Sequence, residues 1–224
     1  MAELQTDELS EGMRRLGIPF DPDRLIRIQM FLEELERWNR RHGFVGRGER
    51  KDGKIDRKQL IVRHVLDSLA AWGTIRGIEP RRRVADVGSG AGFPGVPLAV
   101  FLPDSHFTLL EPSAKRAAFL RNAAILAGLE NVEVEEIRLE QVRCRFDLVV
   151  FRAFSQLNRA LTDLRRIVER NGVIVAFKGK RSRVDEELAA CGLDEESVRI
   201  IPLRVPFLAE ERHLIVLPTA SSAP

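Results

Sequence analysis

The densest run of chemistry-bearing residues is Val84-Ala85-Asp86-Val87-Gly88-Ser89-Gly90-Ala91-Gly92-Phe93-Pro94-Gly95. An apolar run that ends in glycines ahead of a helical pattern lets the backbone approach a nucleotide-like ligand at the carboxyl edge of a parallel sheet. Glu111 follows Gly90 by 21 residues, where a carboxylate can accept both hydroxyls of a ribose. A dinucleotide asks for Gly-x-Gly-x-x-Gly. Counted from Gly88 the third position is Phe93; counted from Gly90 it reaches Gly95 only past Pro94, which has no N–H. S-adenosylmethionine carries no phosphate, and its cationic ammonium and sulfonium favour an acid just before the glycines, where Asp86 stands. The spacing thus favours S-adenosylmethionine over NAD.

Other polar constellations promise less. His64, Asp67 and Ser68 stand at i, i+3 and i+4 of one helical stretch, which is capping and packing geometry rather than a nucleophilic relay. His42, His106 and His213 are scattered without metal-ligand spacing, and Cys144 and Cys191 are too few for a four-ligand zinc site or a disulfide framework. No metal is expected, and the two thiols read as half-buried.

The elements that must position these residues fall into two segments. Residues 3 to 80 read as helical, with Asp21-Pro22 as N-cap and first helical position and Leu25, Ile28, Leu32, Leu35 and Trp38 on one face. That helix should end near Gly43. From Phe44 to Asp56 the chain is glycine-rich, basic and aperiodic, and predicts an exposed loop. From Arg83, short β-branched runs (RVADVG, HFTLLE, VEVEEI, FDLVVF, GVIVAFK) alternate with helical ones, among them LNRALTDLRRIVERNG, which argues for a parallel sheet covered on both faces. VRIIPLRV and RHLIVL then lie close enough in sequence to pair antiparallel. The expected organisation is a helical extension with a basic loop over 1–80, a catalytic α/β domain over 81–218 and a disordered tail over 219–224.

Composition narrows the class. With 224 residues, 44% hydrophobic and 31% charged, the chain is a soluble globular protein with one sizeable core. No apolar run approaches the roughly 18 to 20 residues of a membrane span, and the amino terminus has no apolar h-region, so a cytoplasmic location is expected. The net charge is only +3, yet residues Arg37 to Arg63 alone carry +7, and 30 of the 36 basic residues are Arg. Guanidinium groups hold phosphates bidentately and stack on bases, a bias that suits RNA.

Taken together, RHVLDSL, DVGSGAGFPGVPLAV, LLEPSAKRAAFL, FDLVVFRAF, AFKGK and RHLIVL resemble the RsmG/GidB family of bacterial small-subunit rRNA methyltransferases, from about Arg24 to Leu217. The resemblance implies a seven-stranded, Rossmann-like methyltransferase sheet with an N-terminal helical appendage. It also implies S-adenosylmethionine as donor and N7 of one guanine in a conserved loop of 16S rRNA as acceptor. The small ribosomal subunit would be the partner, with no membrane and a monomeric enzyme. By position it places cofactor contacts at Gly88 and Phe93, backbone contacts to the adenine at Leu139 and Glu140, and Arg152 at the mouth of the pocket. Arg138 and Lys178 would face the active-site groove. Where the family has Asn-Leu-Thr, this chain has Gly43-Phe44-Val45, and a basic insertion follows.

The chemistry agrees with that implication. Guanine N7 bears a lone pair and no proton, so its methylation needs no general base. The chain has no Asn-Pro-Pro-Tyr block for exocyclic amines and no Pro-Cys pair for attack on a pyrimidine. In their place stands Phe151-Arg152-Ala153-Phe154, with Arg152 able to bond guanine O6 or a phosphate and the two Phe read mainly as core. Lys178, Lys180, Arg181 and Arg183 form a second basic group, while Arg47, Arg50, Lys51, Lys54, Arg57 and Lys58 make the loop a candidate RNA-docking arm. A methyltransferase of another substrate and a non-catalytic RNA-binding assembly factor remain open as alternatives.

Overall fold

The structure is a computed structural model that describes residues 3–46, 50–51, 54–153, 157–194 and 197–219, with the side chains of 3–7, 50–51 and 54–55 outside the description. Five short to long helices come first: α1 (Glu3–Arg15), α2 (Pro22–His42), α3 (Arg57–Leu60), α4 (Asp67–Leu69) and α5 (Trp72–Arg76). A π-helical stretch, Ile61–Leu66, joins α3 to α4. As the sequence requires, Asp21 caps α2 by accepting from the N–H groups of Asp23 and Arg24, and Gly43 ends it at φ 61°.

The basic loop is not wholly irregular. It contains a small hairpin, β1 (Arg50–Lys51) and β2 (Lys54–Ile55), with Arg50 opposite Ile55 and Lys51 opposite Lys54. Arg47, at the start of the proposed arm, lies outside the described residues, as does Phe154. The departing Gly43-Phe44-Val45 segment serves packing: Phe44 stacks with Trp38 and meets Phe119, and Val45 donates its N–H to the buried Asn39 side chain at 2.9 Å.

The sheet follows with β3 (Arg83–Val87), α6 (Gly95–Phe101), β4 (His106–Leu110), α7 (Ala114–Leu126), β5 (Val132–Glu135), β6 (Phe146–Arg152), α8 (Leu157–Ile167), β7 (Val168–Lys178), α9 (Arg181–Cys191), β8 (Arg199–Leu203) and β9 (Arg212–Pro218). Its order is β5-β4-β3-β6-β7-β9-β8, parallel except for β9. The seven-stranded sheet expected from the alternating runs is therefore present, and β8 and β9 pair antiparallel.

Two boundaries differ from expectation. The helix predicted through LNRALTDLRRIVERNG stops at Ile167, because Val168 pairs with Phe146 and β7 bulges before rejoining at Val173 opposite Leu148. Gly172 is needed there, since a Cβ would lie 2.7 Å from Asp147 O. Thr219, expected as the first tail residue, is instead anchored: its hydroxyl donates towards the carbonyls of Glu169 and Gly172 at 2.7 and 2.8 Å.

The helical extension packs into the same core as the sheet. Phe31, Leu32, Leu60 and Leu66 join Val96, Phe107, Phe119, Val150 and Leu214 on one face, while α8 and α9 cover the other with Leu157, Leu164, Val184 and Leu188 against Val149, Phe151 and Ala176. Cys144 and Cys191 are free and half-buried. No described helix is long and apolar enough to cross a membrane.

Candidate active site

Because β3 to β7 run parallel, the residues that end them share one edge, and the chain switches direction across the sheet between β3 and β6. Ligands of open α/β sheets bind at such a switch point. On one side of it lie the glycine loop after β3, Glu111 after β4 and the turn Leu139–Gln141 after β5; on the other lie Arg152 at the end of β6 and Lys178 at the end of β7.

The glycine loop is built on left-handed backbone: φ is 69° at Gly88, 58° at Gly90 and 89° at Gly92. Glu111, almost wholly buried, fastens the loop by accepting from Gly90 N at 2.8 Å and Ser113 N at 2.9 Å. Asp86 is not at the ligand surface as its position in the motif suggested. It lies fully buried under the loop, where Oδ2 accepts from Gly95 N at 3.0 Å. Gly95 is obligatory for this approach, since a Cβ would come within 2.5 Å of Asp86 Oδ2. Burial pushes the Asp86 carboxyl up to about 7 against the hydrogen bond from Gly95. Its Oδ1 is buried without a partner in the described structure.

These features fit a cationic, ribose-bearing cofactor. An orphaned buried carboxylate oxygen beneath the loop suits an ammonium or sulfonium above it, and Glu111 stands at the strand end where a ribose would lie. The N–H groups of Leu139 and Glu140 open a 3₁₀ turn and have no acceptor within it, so they could donate to adenine nitrogens. The carbonyl of Leu139, by contrast, is held by Arg166 at 2.9 Å. The Phe93 ring stacks on His64, centroids 4.9 Å apart, with the Arg152 guanidinium over it at 5.4 Å.

Beyond Phe93 opens a cavity of about 540 Å³ lined by Arg63, His64, Asp67, Arg152, Lys178, Glu187, Arg212 and His213 among others. Its wall comes from the RHVLDSL block. The π-helical stretch and α4 present Asp67, whose side chain is 4% exposed, so that Oδ2 accepts from Arg152 at 2.9 Å and Oδ1 from Arg212 at 2.9 Å. Arg152 also meets His64 Nδ1 at 2.7 Å. Burial, then the charges of Arg152, Arg63 and Arg212, hold His64 down to about 3, so the ring is neutral. Ala153, next to Arg152, adopts φ 50°, a strained conformation for a residue with a Cβ.

The structure thus brings Arg152 and Lys178 into one cavity but leaves Arg138 out of it. Arg138 is exposed and caps the 3₁₀ turn on the cofactor side. The basic group after β7 is largely paired: Lys178 with Glu187 at 2.5 Å, Arg181 with Asp185 at 2.8 Å, and Arg183 with Glu186 at 2.9 Å. Phe151 is fully buried and belongs to the core. Sequence reasoning missed the role of Asp67 and Arg212. An acid inside the apolar run Val65-Leu66-Asp67-Ser68-Leu69 signals a buried cation partner. Among the described residues no cluster of His, Cys, Asp and Glu could hold a metal.

The fold compares with a putative O-methyltransferase from Klebsiella pneumoniae at TM-score 0.59, with 18% identity over 97% of this chain and all of that one. A SAM dependent methyltransferase from Aquifex aeolicus aligns at TM-score 0.52 and 15% identity over 69% of this chain and 93% of its own. In sequence, the ribosomal RNA small subunit methyltransferase G of Nitrosospira multiformis is 37% identical over 95% of this chain and 97% of its own length. That of Polynucleobacter asymbioticus is 33% identical over 96% of each. The family profile described as rRNA small subunit methyltransferase G (GidB) matches residues 24–215, a span that runs from α2 to β9 and includes both halves of the site. With a methyltransferase sheet, a glycine loop fit for a cationic nucleoside and a profile match over most of its length, this chain belongs to the GidB family of small-subunit rRNA methyltransferases.

Proposed function

We propose that this protein transfers a methyl group from S-adenosylmethionine to N7 of a single guanine of 16S rRNA. The observation that carries the reading is the division of one sheet edge into two adjoining compartments. One has a glycine loop over an orphaned carboxylate oxygen, and the other is a cavity rich in arginine in which His64, beside Phe93, is held neutral. When bound, S-adenosylmethionine supplies an electrophilic methyl group on a sulfonium. Glu111, Gly88, Gly90 and the N–H groups of Leu139 and Glu140 would hold it, with the buried Asp86 contributing charge from beneath the loop.

The chain's own residues have little proton chemistry to perform. Guanine N7 has no proton to lose, so no general base is required, and positioning with electrostatics supplies the catalysis. Arg152 and Lys178 orient the acceptor from the second compartment, and Phe93 separates the two. Arg138, outside the cavity, is more suited to the RNA backbone near the cofactor side. The acceptor RNA in its small-subunit context is the expected partner, with a monomeric, cytoplasmic enzyme.

A mass map of methylated 16S rRNA nucleotides in cells with and without this protein tests the reading. Loss of one N7-methylguanine on deletion supports it, and an unchanged map overturns it. An assembly factor without turnover is separated by calorimetry, since it would not need to bind S-adenosylmethionine.

A further inference from the structure

Among the described residues two carboxylates line the acceptor cavity, and one of them has an oxygen to spare. Asp67 commits both oxygens to Arg152 and Arg212. Glu187, on α9, gives Oε2 to Lys178 at 2.5 Å, and no hydrogen bond to its Oε1 is found among the described residues. Lys178 is itself confined: its side chain is 11% exposed and its ammonium lies over the Phe151 ring at 5.6 Å. A fixed ammonium and a fixed carboxylate therefore stand side by side in a cavity large enough for a nucleotide.

A donor beside an acceptor is the complement of one nucleobase edge. Guanine presents O6, an acceptor, next to N1–H, a donor, with a second donor at N2. Adenine presents the reverse, an N6 donor next to an N1 acceptor. N7 does not distinguish the two, since both purines carry it as a lone-pair nitrogen. The groups that differ lie at positions 6, 1 and 2, which enzymes that read an extruded base engage along its Watson–Crick face. Lys178 and Glu187 line the same cavity as Arg152, whose guanidinium lies over Phe93, so a base entering with N7 towards Phe93 can present that face to them.

We infer that Glu187, held by Lys178, is the specificity-determining residue that accepts from N1–H and N2–H of the target guanine and excludes adenine. The inference rests on the proposed function, in that it assumes an N7 acceptor. A carboxylate facing adenine N1 would set two acceptors against each other, and a site built for hydrogen bonds rejects such a mismatch strongly. Lys178 facing the N6 amine would set two donors together.

The test uses the full-length enzyme with S-adenosylmethionine and small subunits reconstituted with either guanine or adenine at the acceptor position. N7 methylation is read by mass spectrometry for the unaltered protein and for Glu187→Gln. An amide both donates and accepts, so it can pair with either base. The expected result is a loss of about tenfold or more in transfer to guanine and a guanine-to-adenine preference narrowed by at least tenfold, in the range of one bidentate base contact. S-adenosylmethionine affinity by calorimetry should stay within twofold, and the melting temperature within a few degrees. Should Glu187→Gln unfold, Glu187→Ala replaces it, and a guanine-to-adenine preference left unaltered there overturns the inference equally. An unaltered preference in Glu187→Gln overturns the inference, as does an equal loss on both bases. An unaltered enzyme that methylates neither subunit overturns the proposed function instead, and the assignment falls with it.

Discussion

Arg152 and Asp67 stand 85 residues apart in the chain and 2.9 Å apart in the fold, with Asp67 nearly sealed from solvent and shared with Arg212. Breaking such a buried cluster from the acidic side leaves two guanidinium groups uncompensated. Asp67→Ala should therefore lower unfolding free energy by about 3–5 kcal/mol in urea titration. Arg152→Ala should cost on the order of 2 to 3 kcal/mol in kcat/KM for methyl transfer, as a lost charge-assisted contact. An Asp67→Ala protein as stable as the parent would show that the pair contributes nothing.

The neutral His64 makes a prediction about pH. Its folded-state value, near 3, lies below the ordinary 6.5, so the unfolded chain takes up a proton that the fold excludes. The stability linked to His64 is fully present above pH 6.5 and is lost as pH falls towards 3. His64→Gln should flatten that part of the stability profile. The kcat profile should stay nearly flat between about pH 6.5 and 9, because no base takes part. A kcat limb that vanishes in His64→Gln would require a different mechanism.

Asp86 titrates in the opposite sense. Its carboxyl is raised from 3.8 to about 7, so the ligand-free fold binds a proton that the unfolded chain has released. The stability this gives is present below 3.8 and lost as pH rises through 7. A cationic cofactor prefers the ionised form, so S-adenosylmethionine affinity should weaken as pH drops below about 7 while kcat does not. Calorimetry across pH 5.5 to 8.5 checks this, and Asp86→Asn should bind more weakly at high pH and lose the dependence.

Gly90 in the loop and Gly95 at the start of α6 should fail for different reasons. At Gly95 the barrier is space, with Asp86 Oδ2 and Leu109 Cδ2 both 2.5 Å from a Cβ, and Gly95→Ala should cost about 1–3 kcal/mol as overpacking. At Gly90 the nearest atom is 3.7 Å away, so only the left-handed φ of 58° resists, at about 1–2 kcal/mol. Thermal melts of the two variants, with and without S-adenosylmethionine, would rank them. Gly88→Val, at φ 69°, should abolish transfer with the fold largely retained.

Two basic residues that follow the hairpin are held by acids of the helical extension. Arg57 is bonded to Glu36 at 3.2 Å and Lys58 to Glu8 at 2.6 Å, which withdraws both from the docking arm. Replacing them should leave the salt dependence of RNA binding unchanged. Replacing Arg47, Arg50, Lys51 and Lys54 by Ala should lower its slope by about 0.7 to 0.9 per lost phosphate contact, with cofactor affinity untouched. Filter binding from 50 to 200 mM salt reads both.

Much of this was legible in the sequence, for reasons that can be named. Capping chemistry located the start of α2 to the residue and its end near Gly43, since Asp21, Pro22 and Gly43 each act through local backbone geometry. Alternating β-branched runs gave the sheet, and glycine spacing gave the loop. Contacts between distant elements were harder to read. That Asp67 would reach Arg152 and Arg212 depends on a π-helical turn that no propensity marks, and that Asp86 would lie beneath its loop depends on how closely α6 approaches β3. The hairpin in the basic loop left a sequence trace, the Asp-Gly dipeptide at 52–53, which favours a tight turn.

The position of β9 has a consequence for synthesis. It is made after β8, yet it is inserted between β7 and β8, where Leu214 and Ile215 are fully buried on opposite faces. A ribosome that has translated everything up to Glu211 has made six of the seven strands of a sheet that cannot close. β8 has no neighbour until β9 arrives, and Asp67 still lacks Arg212. Completion of the fold and completion of the acceptor cavity are thus the same late event, so a nascent or shortened chain lacking this strand has no finished cavity in which to place an RNA base.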